Sequence, residues 1–195
     1  TAERKAAAFL LGDNLERTTQ GGGIYTYTSQ QGAAAFRDTG SFDAAGSLSQ
    51  ENAEAFCRDF CKAFSYDTPI FTLDETGSGT ATAVRLWNGT PVFNAAVTFT
   101  IDQGRVLSAS GALLPETGAE TSSGQKPLSA FAALTAFQQM RHASSSVVSS
   151  ITEVSLCYEL QSTTAAPMAL VPSWRIVTDT ATFYVNCISG TVRRA

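Results

Sequence analysis

Residues 170–192, LVPSWRIVTDTATFYVNCISGTV, decide how this chain is read. Leu170, Trp174 and Ile176 alternate with small or polar residues, a polar break falls around Asp179, and Phe183, Val185 and Cys187 alternate again up to Gly190. Successive side chains of a strand point to opposite faces, so the alternation predicts a β-hairpin with one apolar and one wet face. Trp174 and Tyr184 fall on its facing strands, where the spacing suggests a stack across the hairpin.

Upstream of the hairpin, Val154, Leu156, Tyr158 and Leu160 alternate and predict a third strand. Before it, Ala130, Ala133, Leu134, Phe137 and Met140 recur at helical spacing, which predicts a helix over residues 128–141 with Ser129 as its cap. Residues 115–127, PETGAETSSGQKP, have no periodic apolar face and read as a linker or exposed loop. The organisation expected is therefore an N-terminal α+β unit over residues 1–114, a linker over 115–127, and a C-terminal helix with a three-stranded antiparallel unit over 128–195. The expected fold class is α+β, with helices packed on antiparallel β-sheets.

Within the first unit, Ala8, Leu11 and Leu15 predict a first helix, followed by short strands near residues 23–28, 33–37 and 41–45. Ser49 reads as the cap of a second helix, with Glu51 and Glu54 suited to its first turns and Ala53, Cys57, Phe60 and Phe64 forming one apolar stripe. A meander follows over residues 69–74, 80–87, 92–101 and 105–113. Asn88-Gly89 meets the positive-φ demand of a tight hairpin turn, and Asp102-Gln103-Gly104 reads as a three-residue one. Trp87, beside the Asn-Gly turn, is harder to bury than Trp174, so Trp87 and Asn88 are the candidate partner-binding residues.

Of 195 residues, 44% are hydrophobic and 15% charged, enough to bury a substantial core. The 13 Lys and Arg are scattered, against a net charge of -4, which argues against nucleic acid or a polybasic membrane surface. Apolar runs such as residues 6–11 are far too short to cross a membrane as a helix. Catalytic constellations are missing: no phosphate-binding loop, no dinucleotide fingerprint and no nucleophile elbow occurs, and the glycines at 21–23, 77 and 79 read as turn residues. His142, the one histidine, suits the C-terminal end of its helix, and nothing in the sequence places it with Cys157 as a nucleophilic pair. Neither CxxC nor HxxxH spacing is present, so no metal and no cofactor is expected. Cys57 and Cys61 fall on the apolar side of the second helix, and Cys157 and Cys187 on opposite faces of their strands, so all four cysteines are expected to be free thiols. Asn88-Gly89-Thr90 also matches a glycosylation acceptor, although its role as a turn suffices.

The order Leu-Val-Pro-x-Trp-Arg-Ile, Thr-Asp-Thr, Tyr-Val-Asn, Gly resembles the C-terminal signature of the YycI/YycH family, whose relatives include PepSY-like domains. Residues 87–115, WNGTPVFNAAVTFTIDQGRVLSASGALLP, look like that family's paired hairpins, and FRDTGSF at 36–42 is similar to its short hairpin after the first helix. The resemblance implies tandem PepSY-like/YycI-like units. It further implies a non-enzymatic extracytoplasmic domain, held at the cell membrane by an anchor upstream of Thr1. The implied role is to regulate, by protein contact, a membrane sensor histidine kinase of a two-component system controlling the cell wall, together with a related regulatory protein. Two other readings are a PepSY-type module binding or inhibiting a peptide or protease, and an extracellular hydrolase, which would need a polar cleft with paired acids or a nucleophile and base.

Overall fold

The computed structural model describes residues 1–49, 52–115, 125–144 and 147–195. Helix α1 (Ala2–Leu11) leads into strands β1 (Glu16–Gly21), β2 (Ile24–Ser29), β3 (Gly32–Arg37) and β4 (Ser41–Gly46). Helix α2 (Ala53–Ala63) precedes β5 (Ile70–Leu73), β6 (Gly79–Trp87), β7 (Thr90–Asp102) and β8 (Arg105–Ala112). Helix α3 (Ala130–Ser144) is followed by β9 (Ile151–Gln161), β10 (Ala169–Thr178), β11 (Thr182–Asn186) and β12 (Val192–Arg194).

The twelve strands among the described residues belong to one mixed sheet, ordered β1-β2-β3-β4-β8-β7-β9-β10-β11-β12, with β6 on the other edge of β7 and β5 beyond it. The expected α+β fold of helices packed on antiparallel sheets in tandem units is thereby overturned: a single sheet dominates the described residues, and the three helices among them are short. The physical reason lies in β7. One of its edges pairs with β8 over residues 97–102 and, further back, with β9 in parallel at Val92↔Tyr158, so the strands of both sequence regions join one ladder. Residues 116–124 of the expected linker lie outside the described residues, and Pro115 and residues 125–129 have no regular structure.

On one face of β2, β3, β4, β8, β7 and β6 the register lines up Tyr27, Ala34, Ala44, Ala109, Phe99 and Ala81. Phe36 and Phe42 form a neighbouring row, and both rows are buried. Phe60 of α2 is fully buried against them, its ring centroid 5.4 Å from Phe99, 4.6 Å from Phe64 and 5.5 Å from Phe9 of α1. The opposite face carries Thr28, Ala33, Ala45, Ser108, Thr100 and Thr80 in register, small side chains left to solvent or half-buried. A second apolar cluster sits under α3, where Ala133 and Phe137 pack with Ile176, Phe183 and Val185.

Local signals landed with some shifts. Helix α1 stops at Leu11, earlier than Leu15 suggested, because Gly12 takes φ 81 and ends the helix. Ser49 does not cap α2: Asn52 does, accepting from Ala55 N at 3.1 Å, while the buried Ser49 hydroxyl accepts from Val106 N–H at 3.1 Å. Glu51 lies outside the described residues. Ser129 does cap α3, accepting from Ala132 N at 3.2 Å. Asp102 pairs with Arg105, so the turn between β7 and β8 has two residues, Gln103 at φ 48 and Gly104 at φ 76, rather than three. Strands β1 and β12, with sequences ERTTQG and VRR, had no apolar alternation to announce them.

Candidate interaction surface

Trp87 and Asn88 stand at the tip of the β6–β7 hairpin. Trp87 pairs with Thr90, and Asn88 (φ 49) and Gly89 (φ 79) make the two-residue turn between them. Both central residues have positive φ, which is why Asn-Gly suits the position. Asn88 is exposed, whereas Trp87 is half-buried. Its ring lies on a small junction cluster built on buried Val92, Ala95 and Leu114, with Tyr158, Leu160, Met168 and Leu170 around it. Trp87 is thus anchored by one side, and Trp174 is half-buried as well, so burial does not set the two tryptophans apart as expected.

Beneath the tip the hairpin is braced by Arg85, which is buried. Its Nη1 donates to Ser65 O at 2.6 Å and to Leu86 O at 2.7 Å, and its guanidinium lies 5.6 Å from the centroid of the Tyr66 ring. The Tyr66 hydroxyl donates to Ala112 O at 2.6 Å, and burial holds that phenol well above its ordinary pKa, so it acts as a neutral donor. Carbonyl oxygens thus receive the strong donors of a buried cation, the arrangement that makes such a group tolerable inside a protein.

Next to the tip, β7 bulges. Val84 pairs with Ala96 but Arg85 pairs with Val92, so residues 93–95 loop out of the β6 ladder. Phe93 stacks on Tyr184 of β11, with ring centroids 3.7 Å apart and planes at 12°. Arg193 lies 5.2 Å from the Phe93 centroid and pairs with Glu159 at 3.1 Å. Asn94 uses its carboxamide as a peptide group: its Nδ2 donates to Leu160 O, and Leu160 N–H donates to its Oδ1, both at 2.7 Å. No sequence signal pointed to Phe93 or Asn94, because each finds its partner only across the junction. The suggested Trp174–Tyr184 stack does not form. Trp174 is opposite Val185 and Tyr184 opposite Arg175, so the two rings leave opposite faces, and the Trp174 indole donates instead to Leu128 O at 2.9 Å.

The Cys157–His142 pair considered from the sequence does not form. All four cysteines are free and buried. Desolvation pushes the thiols of Cys57, Cys61 and Cys157 up to about 12, and raises that of Cys187, so each is held protonated and weakly nucleophilic. Cys157 donates to Ser173 O at 3.3 Å, while His142 is exposed in the last turn of α3, so the two do not meet. Asp74 accepts from the Thr76 hydroxyl at 2.6 Å, from Ser78 N at 3.1 Å and from Thr76 N at 2.8 Å, which keeps its carboxyl below the usual range and closes a turn. Among the described residues, no group of three or more His, Cys, Asp or Glu is placed to hold a metal ion.

No protein-family model matches this chain, and no curated protein matches it. It is similar to the C-terminal domain of Bacillus megaterium YpeB, at 13% identity and a TM-score of 0.44, over 99% of this chain and 95% of that one. It is also similar to an uncharacterized protein from Eubacterium rectale, at 12% identity and a TM-score of 0.48, over 98% of this chain and 75% of that one. Likenesses at this level assign neither a family nor a ligand.

Proposed function

We propose that this chain is a non-enzymatic binding module that works by protein contact, with the β6–β7 hairpin tip as its contact point. The observation that carries the reading is the pairing of a braced root with a presented tip: Arg85 fixes the base, Trp87 is half-buried, and Asn88 is exposed at the turn. A rigid aromatic beside polar turn groups binds with little loss of conformational freedom. The identity of the partner rests on the resemblance of residues 36–42, 87–115 and 170–192 to the YycI/YycH family, in that family's order. On that basis the module acts outside the cytoplasm, anchored at the cell membrane, and modulates a sensor histidine kinase of cell-wall control.

The test is retention of the extracytoplasmic region of a cell-wall sensor histidine kinase from the same organism, by the wild-type chain and by Trp87→Ala and Asn88→Ala. Both substitutions are expected to weaken retention at least tenfold while the protein stays folded, and Trp174→Ala is expected to lower the melting temperature more than Trp87→Ala. Loss of retention only in variants that have unfolded, or turnover of a peptide, glycan or phosphoester by the pure protein, contradicts the reading.

A further inference from the structure

We infer that β9–β12 with α3 open from the remainder of the sheet as one cooperative segment, and that the Phe93–Asn94 side of the β7 bulge is the latch that holds them shut. The apolar cores are separate. Every buried member of the first lies between Ala6 and Leu113, and every buried member of the second between Ala133 and Val185. What joins them is the junction cluster, whose buried members are Val92, Ala95 and Leu114.

The ladder-bonded part of the backbone seam is short, although β7 and β9 run alongside each other beyond it. β9 and β10 pair along nearly their full lengths, from Ala169↔Gln161 to Thr178↔Ile151, whereas β7 and β9 pair at Val92↔Tyr158 alone. Two residues further along β7, the position beside Leu160 is filled by the Asn94 carboxamide instead of by backbone. A side-chain amide satisfies the same donor and acceptor as a peptide group, but a rotation about its own bonds releases both at once. Phe93 adds the ring stack on Tyr184, on the face where Arg193 and Glu159 pair. Opening the segment therefore breaks the bridge, the carboxamide pair, the ring stack with the Arg193 contact on Phe93, and the small junction cluster, and leaves both main cores intact. Stability is seldom uniform across a fold, and cooperative units part where few buried contacts cross.

The seam also reaches the hairpin tip. Trp87 rests on the junction cluster beside Tyr158 and Leu160. If the tip is the contact point proposed above, a partner that grips Trp87 differently in the shut and open states shifts this equilibrium, which gives a contact at β6–β7 a route to the C-terminal strands. That consequence rests on the proposed function, whereas the latch itself does not.

Hydrogen exchange of the full chain, read by mass spectrometry without any partner, separates the two. In the wild-type protein the slow amides of β9, β10 and β11 are expected to exchange as a set, faster than those of β6, β7 and β8. Asn94→Ala should accelerate that set about tenfold, since it removes two hydrogen bonds of ordinary net worth. Phe93→Ala should accelerate the same set, and neither change should move the rates of α2 or β6. Asn94→Asp, which keeps the acceptor for Leu160 N–H but sets a carboxylate oxygen against Leu160 O, should accelerate the same set and serves if the alanine variant fails to fold. Equal acceleration of both parts would show a single cooperative unit and overturn the latch; acceleration confined to Leu160, or none, would overturn it as well.

Discussion

Phe60→Ala is the most demanding test of the core. Phe60 is fully buried. Its ring meets five others: Phe9 at 5.5 Å, Phe42 at 6.2 Å, Phe64 at 4.6 Å, Tyr66 at 6.0 Å and Phe99 at 5.4 Å. Truncating a buried Phe costs about 3–5 kcal/mol, the lost transfer energy plus the cavity left behind. The upper half of that range is expected here, because the neighbours are rings held on α1, α2 and the sheet, which cannot all collapse into one hole. Domains are stable by only about 5–15 kcal/mol, so the loss removes a large share of the total. For a chain of this size it corresponds to a melting temperature lower by on the order of 10 °C. Urea unfolding followed by circular dichroism measures it, with Phe131→Ala as the control: Phe131 is 82% exposed, and its truncation should cost under about 0.5 kcal/mol. A cost below about 1.5 kcal/mol for Phe60→Ala, or equal costs for the two variants, would refute the placement of α2 on the sheet.

Gly46→Ala should destabilise the protein by about 3 kcal/mol or more: Gly46 has φ 145, and a Cβ there would strike the carbonyl oxygen of Gln31 across the β3–β4 ladder. Gly22→Ala, where φ is 61 and no atom lies within 4 Å of the added carbon, should cost only about 1 kcal/mol in the same urea titration. The thiols should resist iodoacetamide in the native state and react fully in guanidinium, as intact mass reads directly. The folded pKa of Cys57, Cys61 and Cys157, about 12, exceeds the ordinary value of 9.0, so the unfolded chain loses these protons first. Stability should therefore decline as pH rises above about 9, with the decline complete near 12, and Cys57→Ala should lessen that slope. Asn52→Ala removes the cap of α2 and should cost about 1 kcal/mol by thermal melting.

The parts legible in the sequence were those whose physics is local. Asn88-Gly89 forms its turn because two positive-φ residues are needed between paired strands. The stripe Ala53, Cys57, Phe60 and Phe64 became one buried side of α2, and 170–192 became the β10–β11 hairpin. The candidate surface was legible only in part. Trp87 beside its turn could be singled out, but its seat on the junction cluster depends on Tyr158 and Leu160, which lie far away in sequence. The misreading of Ser49 is of the same kind. A serine before a helix is an ordinary cap signal, yet a long-range donor, Val106 N–H, took its hydroxyl and left the cap to Asn52.

What the sequence determined by itself is therefore the set of hairpins and helices, together with the side of each that is apolar. Periodicity and turn chemistry act within a few residues, and no distant partner is needed to express them. The tertiary structure alone decided that these pieces form one sheet instead of two. That outcome turns on the Val92↔Tyr158 parallel pair and on Asn94 reaching Leu160, 66 residues away. It also decided that polar ERTTQG and VRR would become edge strands, since backbone ladders accept almost any side chain once a neighbouring strand supplies the partners. Pairing across such separations is set by competition among whole packed arrangements, and no short window of sequence contains that comparison.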